Sequence, residues 1–264
     1  MSDQPSERPR GWTAFGFLAA RFLSSRLLVA AVAVIGQLLL KTEARFPGRL
    51  TDIGWKAYVN LWDVGWYGNV ALEGYRFGGT GESNIAFFPV FPLLLRGLHA
   101  IGLDVVTAGL LVSNLSFAGA LWLMFRLVWR ETGRRETAER AAALLAFSPA
   151  AAWFSLGLTE SLYLLLTLAL VTLARRRSWG AVLVVGVLAG LTRPNGFILA
   201  VPAIVLAWPE LRQAWRAQRA GAWAWLGLAA TGPILGTALF FVYLRMTFGS
   251  WTCFQTVNAA QWHN

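Results

Sequence analysis

Three apolar runs in this chain, at about residues 22–40, 104–125 and 224–244, are each long enough to cross a bilayer as a helix. Two further tracts, 141–174 and 179–208, are longer still, ~51 and ~45 Å as single helices against a ~30 Å hydrocarbon core. Each carries a polar break near its middle: Thr159-Glu160-Ser161 in the first and Arg193-Pro194-Asn195-Gly196 in the second. The breaks divide the tracts into pairs of short spans. The expectation is therefore seven spans, at about 22–40, 104–125, 141–158, 160–174, 179–192, 196–208 and 224–244, with residues 41–103 as a long first outer loop. The segment 85–102 is apolar too, but Pro89, Pro92, Arg96 and His99 resist a lipid-facing span, so it reads as a re-entrant or interfacial element.

Composition agrees with lipid as the solvent. Charged residues make up 14% of the 264, well under the roughly 25% of soluble domains, while 56% are hydrophobic. That much apolar surface exceeds what one soluble core of this size can bury. Disorder, collagen and coiled coil are excluded, and the single cysteine, Cys253, has no partner for an intramolecular disulfide. The fold class is an all-α polytopic membrane protein, a helical bundle with interfacial helices in its first outer loop.

A net charge of +10 would ordinarily raise nucleic acid as a partner. Its placement argues otherwise. With the N-terminus cytoplasmic, the inner segments 1–26, 126–140, 175–178 and 209–223 hold 15 Lys/Arg and 6 Asp/Glu, against 8 and 7 elsewhere. Nearly all the excess falls on one side, as the positive-inside rule requires, so the basic balance encodes orientation and no nucleic acid is expected. Residues 1–10 are polar and no small-residue cleavage site interrupts Leu38–Lys41, so the first span is not a removable signal peptide. Gly186-x-x-x-Gly190 and Gly232-x-x-x-Gly236 fit close helix packing. Asn114-Leu115-Ser116 matches a glycosylation pattern but lies within a span, where that reading fails.

On this topology the outer side collects the residues that lipid solvation does not explain. Trp55, Tyr58, Trp62 and Trp66 recur at helical spacing, either as an aromatic belt or as one wall of a site. Asp63 sits beside that stripe, with Tyr67 one turn on. A carboxylate among indole rings tends to have a raised pKa and can take a proton from an attacking hydroxyl; the alternative is a solvated acid or helix cap. Phe87-Phe88-Pro89-Val90-Phe91-Pro92 forms a proline-bent apolar surface suited to an isoprenoid, and Arg96 beyond it is either a phosphate ligand or a snorkelling cation. Glu160 and Arg193 lie at the outer ends of short spans, as functional groups or as a mutual salt bridge. The helix opening after Pro194 also offers backbone donors to an anion.

Several chemistries lack their parts. There is no Asp-x-Asp pair for a sugar-nucleotide's metal, no P-loop and no dinucleotide-binding glycine motif. His99 and His263 are the only histidines and are not clustered with other ligands, so no metal site is expected.

Taken in order, Trp62-Asp63-x-x-Trp66-Tyr67, Glu73-Gly74-Tyr75, Phe87-Phe88-Pro89-x-x-Pro92, Ser113-Asn114, Thr159-Glu160-Ser161, Thr192-Arg193-x-Asn195-Gly196, Phe248-Gly249 and Gln261-Trp262 resemble a known family. It is that of the PIG-V-type mannosyltransferases, which add the second mannose in GPI-anchor synthesis, with their bacterial relatives. The likeness runs over residues 15–262. It implies a GT-C-type bundle that takes a hexose, with mannose foremost, from a polyprenyl-phosphate carrier on the outer or lumenal side. The acceptor would be a lipid or glycan. In that class an acid of the first outer loop is the base, which carries over to Asp63, with Asp52 as second choice. Transfer would be inverting, with Arg96 or Arg193 stabilising the departing lipid phosphate and Phe88, Pro89 and Pro92 holding its chain. Trp62, Trp66, Tyr67, Glu160, Asn195, Gln261 and Trp262 would support the site. No metal or other cofactor would be obligatory, since no nucleotide leaves. Relatives usually continue through several more spans, so the chain looks short for the family; a bacterial plasma membrane is the expected location.

A second class stays open from the sequence: a non-catalytic membrane protein, either a carrier of lipid-linked substrates or a subunit of a glycosylation complex. A carrier should place charges near the midplane within repeated halves. No repeat is evident, and Asp63, Arg96, Glu160 and Arg193 map to one face, which favours chemistry at the surface.

Overall fold

The computed structural model describes residues 11–40, 63–78 and 83–262, and among them every regular element is helical. In chain order these are α1 (Gly11–Leu40), α2 (Val64–Glu73), α3 (Val90–Ala100), α4 (Val105–Thr132), α5 (Arg135–Ala146), α6 (Glu160–Arg175), α7 (Trp179–Gly190), α8 (Ala200–Arg216), α9 (Ala220–Ala230), α10 (Gly232–Phe248) and α11 (Cys253–Val257). Short 3-10 turns cover Pro149–Ala151, Trp153–Ser155 and Pro194–Leu199, and a π turn covers Asn258–Trp262.

Three helical stretches are continuous, long and apolar enough to cross a membrane: Ala14–Ile35, Val105–Thr132 and Pro194–Arg216. Two bent pairs raise the number to five if each is one span: Pro149–Ser155 with α6, bent by 105°, and α9 with α10, bent by 63°. Three of the seven segments expected to span differ in local build. Residues 141–158, expected as one span, form the end of α5 followed by two 3-10 turns. Pro149 disfavours helix in the residue before it, and Ser148 is extended. α7, within the expected 179–192 span, has 12 residues, ~18 Å of helix. The expected 196–208 span is instead the middle of a longer helical stretch that starts at Pro194. Segment 85–102 holds α3, 11 residues and ~16 Å, too short to cross.

The irregular backbone between α5 and α6 has its polar groups answered from α4. Ser113 Oγ donates to the Leu158 carbonyl at 2.8 Å, and Asn114 Nδ2 reaches the Ser155 carbonyl at 3.2 Å. Such pairing is what allows a non-helical break at membrane depth. Gly109 and Gly157 meet backbone to backbone beneath it.

The two small-residue motifs face each other. Gly186 and Gly190 of α7 pack on Gly232, Pro233 and Gly236 of α10, so closely that a methyl on Gly190 would overlap the Pro233 carbonyl and one on Gly236 the Val187 carbonyl. Backbones approach this closely only where side chains are absent. Outward, Leu27 (71% exposed), Val205 (64%) and Leu115 (63%) leave large apolar side chains uncovered, the surface expected of helices solvated by lipid.

Candidate functional site

The site is built where three chain breaks meet: the start of α2, the start of α6 and the segment 191–199 between α7 and α8. Asp63 occupies the N-cap of α2 and makes no side-chain capping bond. Its carboxylate is exposed, yet apolar surroundings withhold enough water to raise its pKa above the ordinary value. The negative charge of Glu160 adds to that rise and the Arg193 guanidinium opposes it. These long-range effects place Glu160 and Arg193 within electrostatic reach of Asp63.

Glu160 opens α6, where the helix dipole favours an acid. Arg193 is extended just before Pro194, the conformation a following proline imposes, and this turns its side chain back toward α6. Arg193 Nη1 donates to Glu160 Oε1 at 2.6 Å, with each side chain 31% exposed. Of the two roles open to these residues from sequence, the salt bridge forms. Glu160 Oε2 is buried, with no hydrogen-bond partner among the described residues. A buried acceptor left open invites a donor from outside the protein.

Tyr67, one turn into α2, is buried; its hydroxyl lies 3.4 Å from Thr159 Oγ1. Burial, foremost, pushes its phenol well above the usual tyrosine range. The ring packs edge-on against Phe87 at 5.1 Å and Phe91 at 5.2 Å, and Trp66 stacks on Phe87. Tyr163 of α6 approaches the Asn195 carbonyl at 3.5 Å, over the same opening.

A groove of about 320 Å³ lies at the other end of α2. Val70, Ala71, Gly74 and Tyr75 form one wall, Pro89, Pro92, Leu93 and Arg96 a second, and Leu191, Leu239, Phe240 and Tyr243 the third. It is apolar apart from the tyrosines and Arg96. Asp63 and Ala71 are eight residues apart, ~12 Å along the helix. The Val90 amide bonds the Leu191 carbonyl at 3.2 Å, tying the groove to the segment that carries Arg193.

The residues singled out from sequence thus divide. Asp63, Tyr67, Glu160 and Arg193 gather in one cluster, with the exposed Asn195 beside it; Pro89, Pro92 and Arg96 line the groove. Phe88 does not line it: it is 1% exposed and packs on Phe240 at 4.5 Å. Trp62 and Asp52 lie outside the described residues, as do the side chains of Gln261 and Trp262. Thr159, Tyr163, Tyr75 and Tyr243 were given no role from sequence. Thr159 and Tyr75 stand inside Thr159-Glu160-Ser161 and Glu73-Gly74-Tyr75, whereas Tyr163 and Tyr243 sit in apolar runs that carry no signal. Among the described residues, no three of the His, Cys, Asp and Glu side chains come together as a metal cluster.

The family model described as mannosyltransferase (PIG-V) matches residues 21–212, most of the chain and all of the cluster just described. Comparison with characterised proteins and with solved structures returns no match. The helices, the apolar surface and this match together make the chain an integral-membrane glycosyltransferase that belongs to the PIG-V mannosyltransferase family.

Proposed function

We propose that this enzyme moves a mannosyl group from a polyprenyl-phosphate carrier to a hydroxyl of a lipid or glycan acceptor, on the extracytoplasmic side, with Asp63 as general base. The acceptor oxygen attacks C1 of the sugar from the face opposite the phosphate. The new C1–O bond forms as the bond from C1 to the phosphate oxygen breaks, so the anomeric configuration inverts. The acceptor proton passes to the Asp63 carboxylate, and polyprenyl phosphate leaves with the bonding electrons. Arg193 opposes the charge growing on that phosphate, and Arg96 meets it from the groove side.

The observation that carries this reading is the Arg193–Glu160 ion pair seated beside the exposed Asp63, next to an apolar groove lined by a second guanidinium, Arg96. Glu160 positions Arg193 through Oε1, and its open Oε2 is placed to accept from a sugar or acceptor hydroxyl. Pro89 and Pro92 shape the groove for an isoprenoid chain, and Trp66 and Tyr67 fix the apolar floor beside Asp63.

The test is incubation of the purified chain in membranes with labelled polyprenyl-phosphate mannose, glucose and arabinose in parallel. Mannose transfer, absent with Asp63→Asn, is expected. Transfer only from a nucleotide sugar, or equal transfer by Asp63→Asn, would overturn the proposal.

A further inference from the structure

The far end of the bundle carries a second concave feature that the transfer reaction does not use. α4 and α6 run side by side in the same direction. Ser113 bonds the Leu158 carbonyl, Gly119 faces Leu165, and Arg175 meets Glu131 at 3.4 Å. Glu160 is therefore level with about residue 115 of α4, and the two helices end together, ~22 Å from the Asp63 cluster along the 15 steps from Glu160 to Arg175.

Between those ends lies a cavity of about 280 Å³ lined by Arg126, Arg130, Arg175 and Arg176, with Trp129 and Thr172 among its walls. Of the four guanidinium groups, only that of Arg175 meets a carboxylate among the described residues, Glu131. The neighbouring arginines are arranged differently. Arg135 pairs with Glu139, Arg140 with Glu136 and Arg177 with Glu210. Three arginines facing one concavity without a counter-charge repel one another, and an anion seated among them removes that repulsion. Orientation alone requires only that basic residues lie on one side; it does not require them to converge on a cavity.

Depth decides which anion. A hydrocarbon core of ~30 Å takes up about 20 residues from Val105, so α4 leaves the apolar layer near Phe125. Arg126 and Arg130 then stand at the level of the headgroup phosphates. Trp129 lies between them, at the depth where indole rings anchor, and Arg126 folds over the Trp122 ring at 5.7 Å. Basic pockets between spanning helices at this depth bind anionic headgroups.

We infer that the notch between the ends of α4 and α6 is a binding site for the phosphodiester headgroup of an anionic phospholipid, held by Arg126, Arg130 and Arg176. The guanidinium forks supply paired donors to the phosphate oxygens, and the acyl chains run back along the apolar helix surface. This site stands apart from the sugar-transfer cluster and does not depend on its chemistry.

The test reconstitutes the full chain in phosphatidylcholine vesicles with and without phosphatidylglycerol, and measures phosphatidylglycerol retained after delipidation by native mass spectrometry. The wild-type chain should retain it. Arg130→Gln/Arg176→Gln should weaken retention about thirty-fold, from ~1 kcal/mol per basic residue at the surface. Arg135→Gln/Arg140→Gln, which removes the same charge outside the cavity, should change it by less than about threefold. Equal losses in the two double variants would overturn the inference, since bulk charge would then explain binding. So would inorganic phosphate competing as well as the lipid. If Arg130→Gln/Arg176→Gln fails to fold, photo-crosslinking of phosphatidylglycerol to the wild-type chain decides. Labelling confined to the ends of α4 and α6 supports the site, and labelling spread over the bundle rejects it.

Discussion

Arg193 donates to Glu160 across 2.6 Å, joining the break between α7 and α8 to the first turn of α6. The bond holds two opposite charges next to Asp63 and lets each act on the acid's proton affinity in the opposite sense. Activity that depends on ionised Asp63 should rise with pH through a midpoint above the usual value of an aspartate. Glu160→Gln removes the raising charge and frees Arg193 to lower the pKa, so the acidic limb should move to lower pH. Arg193→Gln should move it to higher pH. pH–rate profiles of kcat/KM for the three proteins check both directions; two shifts of the same sign would detach Asp63 from the limb.

Asp63 makes no capping bond and is exposed, so its removal should leave the fold intact. Asp63→Asn should lower transfer by about 10²–10⁴-fold, the usual worth of a positioned base, with unchanged yield and thermal midpoint. Asp63→Glu, which moves the carboxylate by one methylene, should retain more activity than the amide. Turnover of labelled donor, measured beside thermal unfolding, separates the two effects.

Removing one half of the pair leaves the other as a partly buried charge without its partner. Arg193→Ala should cost about 1–3 kcal/mol. Adding Glu160→Gln should recover part of that loss, since the orphaned carboxylate is then neutral. Unfolding midpoints of the single and double variants complete the cycle. If donor KM rises in Arg193→Ala and does not recover in the double variant, the guanidinium also serves the phosphate.

Much of this arrangement was legible in the chain. The polar breaks at Thr159-Glu160-Ser161 and Arg193-Pro194 stand out because charge inside an apolar tract has few structural uses, and both reach the cluster. The small-residue motifs predicted the closest helix contact for a similar reason: only glycine admits it. Hydropathy does not distinguish, at 141–158, a single span from a helix end followed by 3-10 turns laid against α4. Nor does a Phe-Phe-Pro run reveal which ring turns inward, as that of Phe88 does to meet Phe240. Tyr243 joined the groove only through the packing of α10, which no local pattern encodes.

The α7–α10 contact should tolerate no added bulk. Gly236→Val would drive a branched side chain into the Val187 backbone, and neither helix can retreat without separating Gly190 from Pro233. A loss of about 1–3 kcal/mol or more is expected from such overpacking. Gly227→Ala, where a methyl meets nothing within 4 Å, is the matched control and should be neutral or slightly stabilising. Detergent-solubilised thermal unfolding distinguishes them.

Donors of different chain length should meet the groove differently. Leu239 forms part of the wall of a 320 Å³ space bounded by Pro92 and Tyr75, and it is half-exposed, so Leu239→Trp can project a ring into that space without disturbing the core behind it. If an isoprenoid occupies the groove, its first units must pass this ring, and KM for a long polyprenyl donor should rise several-fold while kcat stays near wild type. A donor cut to a short alkyl phosphate reaches the sugar site without filling the groove, so its KM should scarcely change. Arg96→Ala acts at the opposite rim and should weaken both donors, because the phosphate is common to them. Equal sensitivity of the long and short donors to Leu239→Trp would remove the groove from donor binding, leaving Arg96 as a cation at the membrane surface.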